Sequence, residues 1–149
     1  MHTPGSNAIE ALQIQSIAIP ELWAGAIDGF VIGNPVIAIA PETSGKKLVV
    51  LPEPHAKDQI ALKVLLDFLP VQIYVGYNPE TKVVEFSPEP VVWEVDRTTG
   101  DGTHRMKLVG QDLVWTIFID GGVGQPLRLL PVDPNMETQK WKGHLVPQE

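Results

Sequence analysis

Residues 56–77, AKDQIALKVLLDFLPVQIYVGY, constrain the fold more than any other stretch. Gln59, Lys63 and Asp67 recur four apart, with Lys57 and Asp58 in the first turn. Ile60, Ala61, Leu62, Val64, Leu65, Leu66, Phe68 and Leu69 fill the remaining circumference. The spacing predicts a helix over 56–69 with Leu65 and Phe68 in the core. Pro70 stops it, because proline lacks an N–H and disfavours helical geometry at the residue before it. Val71, Ile73, Val75 and Tyr77 then alternate with Gln72, Tyr74 and Gly76, as a strand does. An apolar arc this wide is not covered by one flat sheet, so a concave sheet or a neighbouring subunit is expected around the helix.

The rest of the chain reads as strands and turns. Leu12 to Gln15 alternate like a strand, a reading favoured over a helix capped by Asn7 and Glu10. Residues 20–29 suggest an irregular turn anchored by Trp23. Residues 36–54, VIAIAPETSGKKLVVLPEP, and 73–90, IYVGYNPETKVVEFSPEP, share an order: apolar run, Pro-Glu-Thr, lysine, apolar run, Pro-Glu-Pro. Both follow hairpin grammar, the prolines and small polar residues making turns between β-branched runs. Strands are expected over 91–96, 104–109, 113–119 and 127–130, the third apolar on both faces except for Thr116 and therefore covered twice. Asp133 as N-cap, Pro134 at the first helical position and Gly143 as terminator predict a short helix carrying Met136 and Trp141.

The expected architecture is thus mainly β with one packed α-helix (α+β), an antiparallel hairpin-built sandwich or partly closed barrel. One domain spans 1–149: a mobile lead over 1–7, a β core over 8–130 that includes the helix, and a short helix and tail over 131–149. That length is enough to bury a core.

Composition narrows the function classes. With no cysteine, disulfides, thiol catalysis and thiolate metal sites are excluded. The net charge of −7 and the scattered basic residues disfavour nucleic acid. No window approaches the roughly 18 apolar residues of a membrane span, and the first ten residues do not form a signal peptide, so a cytoplasmic or virion setting is expected.

Motifs for chemistry are sparse. His2, His55, His104 and His144 are far apart and lack metal-ligand spacing, so no metal or cofactor is expected. The loop at 96–104 offers Asp96, Thr98 and Asp101 to calcium, but Gly100 and Lys107 stand where ligands belong. The run DGGVGQ is followed by Pro126 and a strand, unlike a phosphate loop. Glu94, Asp96 and Asp120 lie at or near strand ends, where two carboxylates at the right separation would suit a small hydrolase.

Three functions follow. The first is a non-catalytic structural or assembly subunit, homo-oligomeric, with an interface at Leu66, Trp141, Leu145 and Val146. A small acidic β domain with a packed helix is also the general plan of subunits lining viral tail tubes, so a virion or tube component is one form of it. The second is a binding module, either for an apolar ligand lined by Trp23, Trp93, Trp115, Tyr74 and Tyr77 or as an inhibitor- or immunity-type partner of a basic protein. The third is the small hydrolase.

Overall fold

A computed structural model describes residues 11–27, 29–40, 45–65, 72–97, 99–100, 102–117 and 125–146. They form thirteen strands: β1 (Leu12–Ser16), β2 (Trp23–Ala26), β3 (Ile37–Ile39), β4 (Lys46–Lys47), β5 (Val50–Ala56), β6 (Gln59–Val64), β7 (Tyr74–Tyr77), β8 (Val84–Ser87), β9 (Val92–Asp96), β10 (Arg105–Leu108), β11 (Leu113–Thr116), β12 (Arg128–Pro131) and β13 (Trp141–Leu145). All pairings are antiparallel within one sheet. Among the described residues the only helical element is one 3₁₀ turn, Glu137–Gln139, and no helix is long and apolar enough to cross a membrane.

The strands sort into two sandwich-like layers. Pairing runs from β13 to β1, β5, β6, β9 and β10. The sheet is not a closed ladder: β10 returns to β13 through a single bridge between His104 and Trp141. Hairpins β2–β3, β7–β8 and β11–β12 form the second layer. Their join is cyclic. The amide of Val36 donates to the Val84 carbonyl (2.8 Å), Val84 to Leu127 (2.9 Å) and Leu127 back to Val36 (2.9 Å). The flanking bridges Pro35 to Glu85, Val83 to Arg128 and Pro126 to Ile37 repeat the same relation. Three copies of a four-strand unit around one axis, each with two ring strands and a hairpin, make the plan of a β-trefoil.

This axis replaces the repeat read from the Pro-Glu-Thr segments. Val36, Val84 and Leu127 are equivalent in space, so the first unit does not superpose on the second in the 36-to-73 alignment that the matching motifs suggest. Pro79-Glu80-Thr81 does turn the β7–β8 hairpin, with Asn78 Oδ1 accepting from the amides of Glu80 (2.8 Å) and Thr81 (3.1 Å). The other copy, 41–43, lies outside the described residues. Pro52-Glu53-Pro54 runs within β5, whereas Pro88-Glu89-Pro90 makes a bend between β8 and β9.

The helix expected over 56–69 is not there. Its first half is the second strand of the longest hairpin, β5–β6, with Ala56 paired to Gln59 across a two-residue turn. Asp58 supports that turn at φ 59°, left-handed backbone that aspartate tolerates better than most residues. Ile60, Leu62 and Val64 point to one face, and Gln59, Ala61 and Lys63 to the other. A polar residue every fourth position satisfies a period of 2 as well as 3.6, and Ala61 is neutral between them. Pro52 and Pro54 then decide, since they hold the preceding chain extended and unable to donate. Leu65 is exposed instead of buried; Leu66 and Phe68 lie outside the described residues.

The helix expected before Gly143 is also corrected. Asp133 does cap a turn, its Oδ1 accepting from the Asn135 amide at 3.0 Å, but only Glu137–Gln139 coil before β13 begins. Gln139 fixes the exit: fully buried, it donates through Nε2 to the Pro131 carbonyl (2.9 Å) and to Thr116 Oγ1 (3.3 Å), and accepts from the Asp133 amide (2.9 Å). The chain then pairs from Trp141 to Leu145 along β1.

The core centres on tryptophans. Trp93, Trp115 and Trp141 are fully buried and meet edge to face at centroid distances of 5.5 and 6.0 Å, a geometry worth about 0.5–1.5 kcal/mol per pair beyond burial. Trp93 Nε1 donates to the Val75 carbonyl (2.9 Å) and Trp141 Nε1 to the Trp115 carbonyl (3.2 Å). The equivalent carbonyl of Ala24 takes the Leu48 amide (2.9 Å). As expected from its doubly apolar pattern, β11 has Val114, Trp115 and Thr116 buried.

Candidate functional site

The three corners of the hairpin layer are built on one scaffold and closed differently. At the second, residues 78–83 make a tight polar turn: the Asn78 amide donates to the Val83 carbonyl (2.8 Å), the Lys82 amide to the Asn78 carbonyl (2.8 Å), and Lys82 Nζ to the Pro79 carbonyl (2.7 Å). At the first, the chain between β2 and β3 takes residues 27–36 and fills them with apolar side chains. Ile27, Val31 and Ile32 are 49%, 50% and 41% exposed. At the third corner, residues 118–124 lie outside the described residues.

The first loop is held as well as displayed. Phe30 turns inward and packs edge to face on Phe86 at 5.6 Å. The Gly33 amide donates to the Phe86 carbonyl (2.9 Å), the Phe86 amide to Asn34 (3.0 Å) and the Asn34 amide to Val31 (3.0 Å). Gly29 and Gly33, at φ 95° and 93°, supply left-handed bends that Val31 and Ile32 could not adopt without strain. An inward aromatic, two left-handed glycines and backbone bonds at residues 31–34 thus present three aliphatic side chains outward. Such a loop loses little freedom on binding.

The residues singled out from the sequence are placed as follows. Trp141 is fully buried in its own subunit and so is not a surface contact. Leu145 is 62% exposed, Val146 is half-buried and Leu66 is outside the described residues. Leu145 pairs with Leu12, and the Val146 amide donates to Ala11 (2.9 Å), so the start of the tail folds back on its own domain. Asp96 holds Arg105 at 3.2 Å, and Glu94 lies opposite Lys107; Asp120 is outside the described residues.

Trp93 and Trp115 fill the core instead of lining a pocket. Tyr74 is buried beside Glu53 and Glu89; burial first, then those carboxylates, pushes its hydroxyl pKa above the ordinary value. Trp23 is half-buried on the outer face. Lys47 Nζ sits 3.8 Å over its ring, and His144, bonded to Gln15 at 2.7 Å, lies 5.2 Å away. Among the described residues no three histidine, aspartate or glutamate side chains come together as a metal site.

The β2–β3 loop was missed in the sequence, although a signal exists. Ile27-Asp28-Gly29 followed by Gly33-Asn34-Pro35-Val36 recurs as Ile119-Asp120-Gly121 followed by Gly124-Gln125-Pro126-Leu127. The structure makes Pro35 and Pro126 equivalent.

No protein-family model and no curated protein matches the sequence. Solved structures do share the fold. The chain is similar to part of a mosquitocidal holotoxin, with TM-score 0.74 and 14% identity over 94% of this chain and 18% of that one. It is also similar to part of Cry35Ab1, with TM-score 0.61 and 15% identity over 96% of this chain and 39% of that one. The chain therefore shares its β fold with part of each neighbour, and it spans well under half the length of either.

Proposed function

We propose that this chain is a non-catalytic recognition module that docks on a partner protein through the β2–β3 loop. The observation that carries this is the contrast between equivalent corners. The scaffold closes its second hairpin with a short polar turn, so nothing in folding requires the first to be longer and to expose Ile27, Val31 and Ile32. Exposed aliphatic side chains on a preorganised loop are how a small module supplies a binding hot spot. The net charge of −7 suits a partner whose apolar groove has a basic rim. The chain matches only part of each of two longer structures, one of them a mosquitocidal holotoxin, as a module within a larger protein does.

Leu62 and Val64, assigned by the sequence to a helix with excess apolar surface, lie buried in the β5–β6 hairpin, so that segment no longer calls for a second copy to cover it.

Photocrosslinking tests the reading. A photoreactive side chain at Val31 is expected to capture a protein that the same group at Thr81, on the equivalent polar turn, does not. The double substitution Ile27→Asp and Ile32→Asp should abolish capture while leaving stability within about 1 kcal/mol, as for other exposed positions. Equal capture from both corners, capture of lipid, or capture of the chain's own copy would each sink the proposal.

A further inference from the structure

Trp23 is the one tryptophan that the core does not enclose. Trp93, Trp115 and Trp141 are fully buried, whereas Trp23 is half-buried on the outer face of β2. The fold does not require this. Strands β2, β7 and β11 meet their neighbours through Gln15 with Trp23, Lys63 with Tyr74 and Lys107 with Val114, so Trp23, Tyr74 and Val114 are equivalent. Tyr74 and Val114 are buried. Only the first unit leaves the position open, and it puts the largest side chain there.

The surroundings of Trp23 are rich in donors. Lys47 Nζ lies 3.8 Å from the ring centroid; an ammonium has three N–H groups, and those turned away from the indole face stay available to an acceptor. Gln15 pairs with Trp23 on one side and with Lys142 of β13 on the other, and residues paired across strands share a face. Lys142 is exposed there. Neither lysine has an ion pair among the described residues, and Glu21, exposed in the β1–β2 turn, pairs with neither. The indole N–H of Trp23 likewise has no hydrogen-bond partner among the described residues. In a chain of net charge −7, this face is locally reversed in sign.

The indole is also held in place. Gln15 Nε2 donates to the Pro20 carbonyl at 2.7 Å, which turns Oε1 toward His144; the imidazole Nε2 donates to it at 2.7 Å. That ring packs against the indole at a centroid distance of 5.2 Å, so His144 and Lys47 together fix the orientation of Trp23.

We propose that Trp23, Lys47 and Lys142 form an oxyanion-binding site, which takes a small ligand carrying a carboxylate or phosphate group against the indole. The ammonium groups supply charge-assisted hydrogen bonds to the oxygens, and the open part of the indole covers the ligand's apolar portion. The site uses none of Ile27, Val31 and Ile32 and stands independently of the β2–β3 loop.

Fluorescence of the whole chain tests it, because the other three tryptophans are shielded and Trp23 answers to added quenchers. Normalised to quenching of free tryptophan amide, iodide is expected to quench more strongly than caesium despite the net charge, and Trp23→Phe should remove most of the quenching by both. Titration with inorganic phosphate or with acetate, at ionic strength held constant by chloride, should shift the Trp23 emission saturably. Response to phosphate alone, to acetate alone or to both says which oxyanion the site accepts. Lys47→Gln and Lys142→Gln should each weaken that binding about tenfold, the worth of one charge-assisted hydrogen bond. Lys57→Gln, the same charge change on the β5–β6 turn, should leave it unchanged. Normalised caesium quenching equal to or above that by iodide, no saturable response to either anion, or equal weakening by Lys57→Gln would each overturn the proposal. If Lys47→Gln disturbs β4, Lys142→Gln on the exposed face of β13 decides alone.

Discussion

Trp141→Ala is expected to cost about 5 kcal/mol, enough to leave much of the population unfolded. Truncating a buried tryptophan removes about 3–5 kcal/mol of packing. Here the loss also leaves the Trp115 carbonyl, which now accepts the indole N–H at 3.2 Å, without that donor inside the core; an unsatisfied buried group adds about 1–3 kcal/mol. Small domains hold only about 5–15 kcal/mol in all. Trp141 also opens β13, bonds His104 across the seam and pairs with Ser16 of β1, so its collapse reaches both sides of the ring. Urea denaturation followed by far-UV circular dichroism measures the effect. A loss below about 1 kcal/mol would mean that the ring is not in the subunit core, and would restore Trp141 as a contact between copies.

How far the fold was legible depended on what each residue had to distinguish. The strands at 91–96, 104–109 and 113–119 were readable because alternation or full apolarity recurs over enough residues to exclude a helix, and the structure places β9, β10 and β11 there. Segment 56–69 was not. Gln59 and Lys63 lie on one face of either a helix or a strand, and the deciding residues, Pro52 and Pro54, lie outside the window that suggested the helix. The threefold plan was hidden for another reason. Its equivalent four-residue segments, WAGA, YVGY and VWTI, share almost no identity, because each meets different neighbours. Pro-Glu-Thr repeats more visibly, yet turn chemistry recurs wherever a turn is needed.

The candidate loop was the least legible feature. In sequence, Ile27, Phe30, Val31 and Ile32 look like ordinary strand or core residues, and only the position of Phe30 on Phe86 shows which one points in. Exposure of the other three is a property of the ten-residue connection, seen once the equivalent connection at 78–83 supplies the comparison. The carboxylates that suggested hydrolysis were readable as residues but not as partners: Arg105 takes Asp96 through cross-strand register, which follows only when β9 and β10 are known to pair.

Gly25→Ala should destabilise by about 1–3 kcal/mol or somewhat more, the range for forcing atoms into a packed site. Gly25 lies on β2 with β3 on one side and β4 on the other. An added Cβ would come within 2.7 and 2.9 Å of Ile39 Cγ1 and Cδ1 and would press on the Lys46 backbone carbonyl, which cannot rotate away as a side chain can. Its equivalent in the second unit, Gly76, is closed off by Ser87 Cβ at 2.7 Å. The third unit has Thr116 there, with Oγ1 bonded to the Val114 carbonyl and to Gln139, and the 3₁₀ turn, through the Thr138 carbonyl, at the edge that β4 occupies in the first. The small residue at Gly25 therefore answers the close crossing by β4. Gly143→Ala is the control, since its nearest new contacts are ordinary at 3.7 and 3.8 Å; it should stay within about 0.5 kcal/mol. Because β2 is the stem from which the docking loop rises, Gly25→Ala should also weaken crosslinking from Val31, whereas Gly143→Ala should not. Equal stabilities of the two variants in urea would mean that β4 does not cross β2 as described.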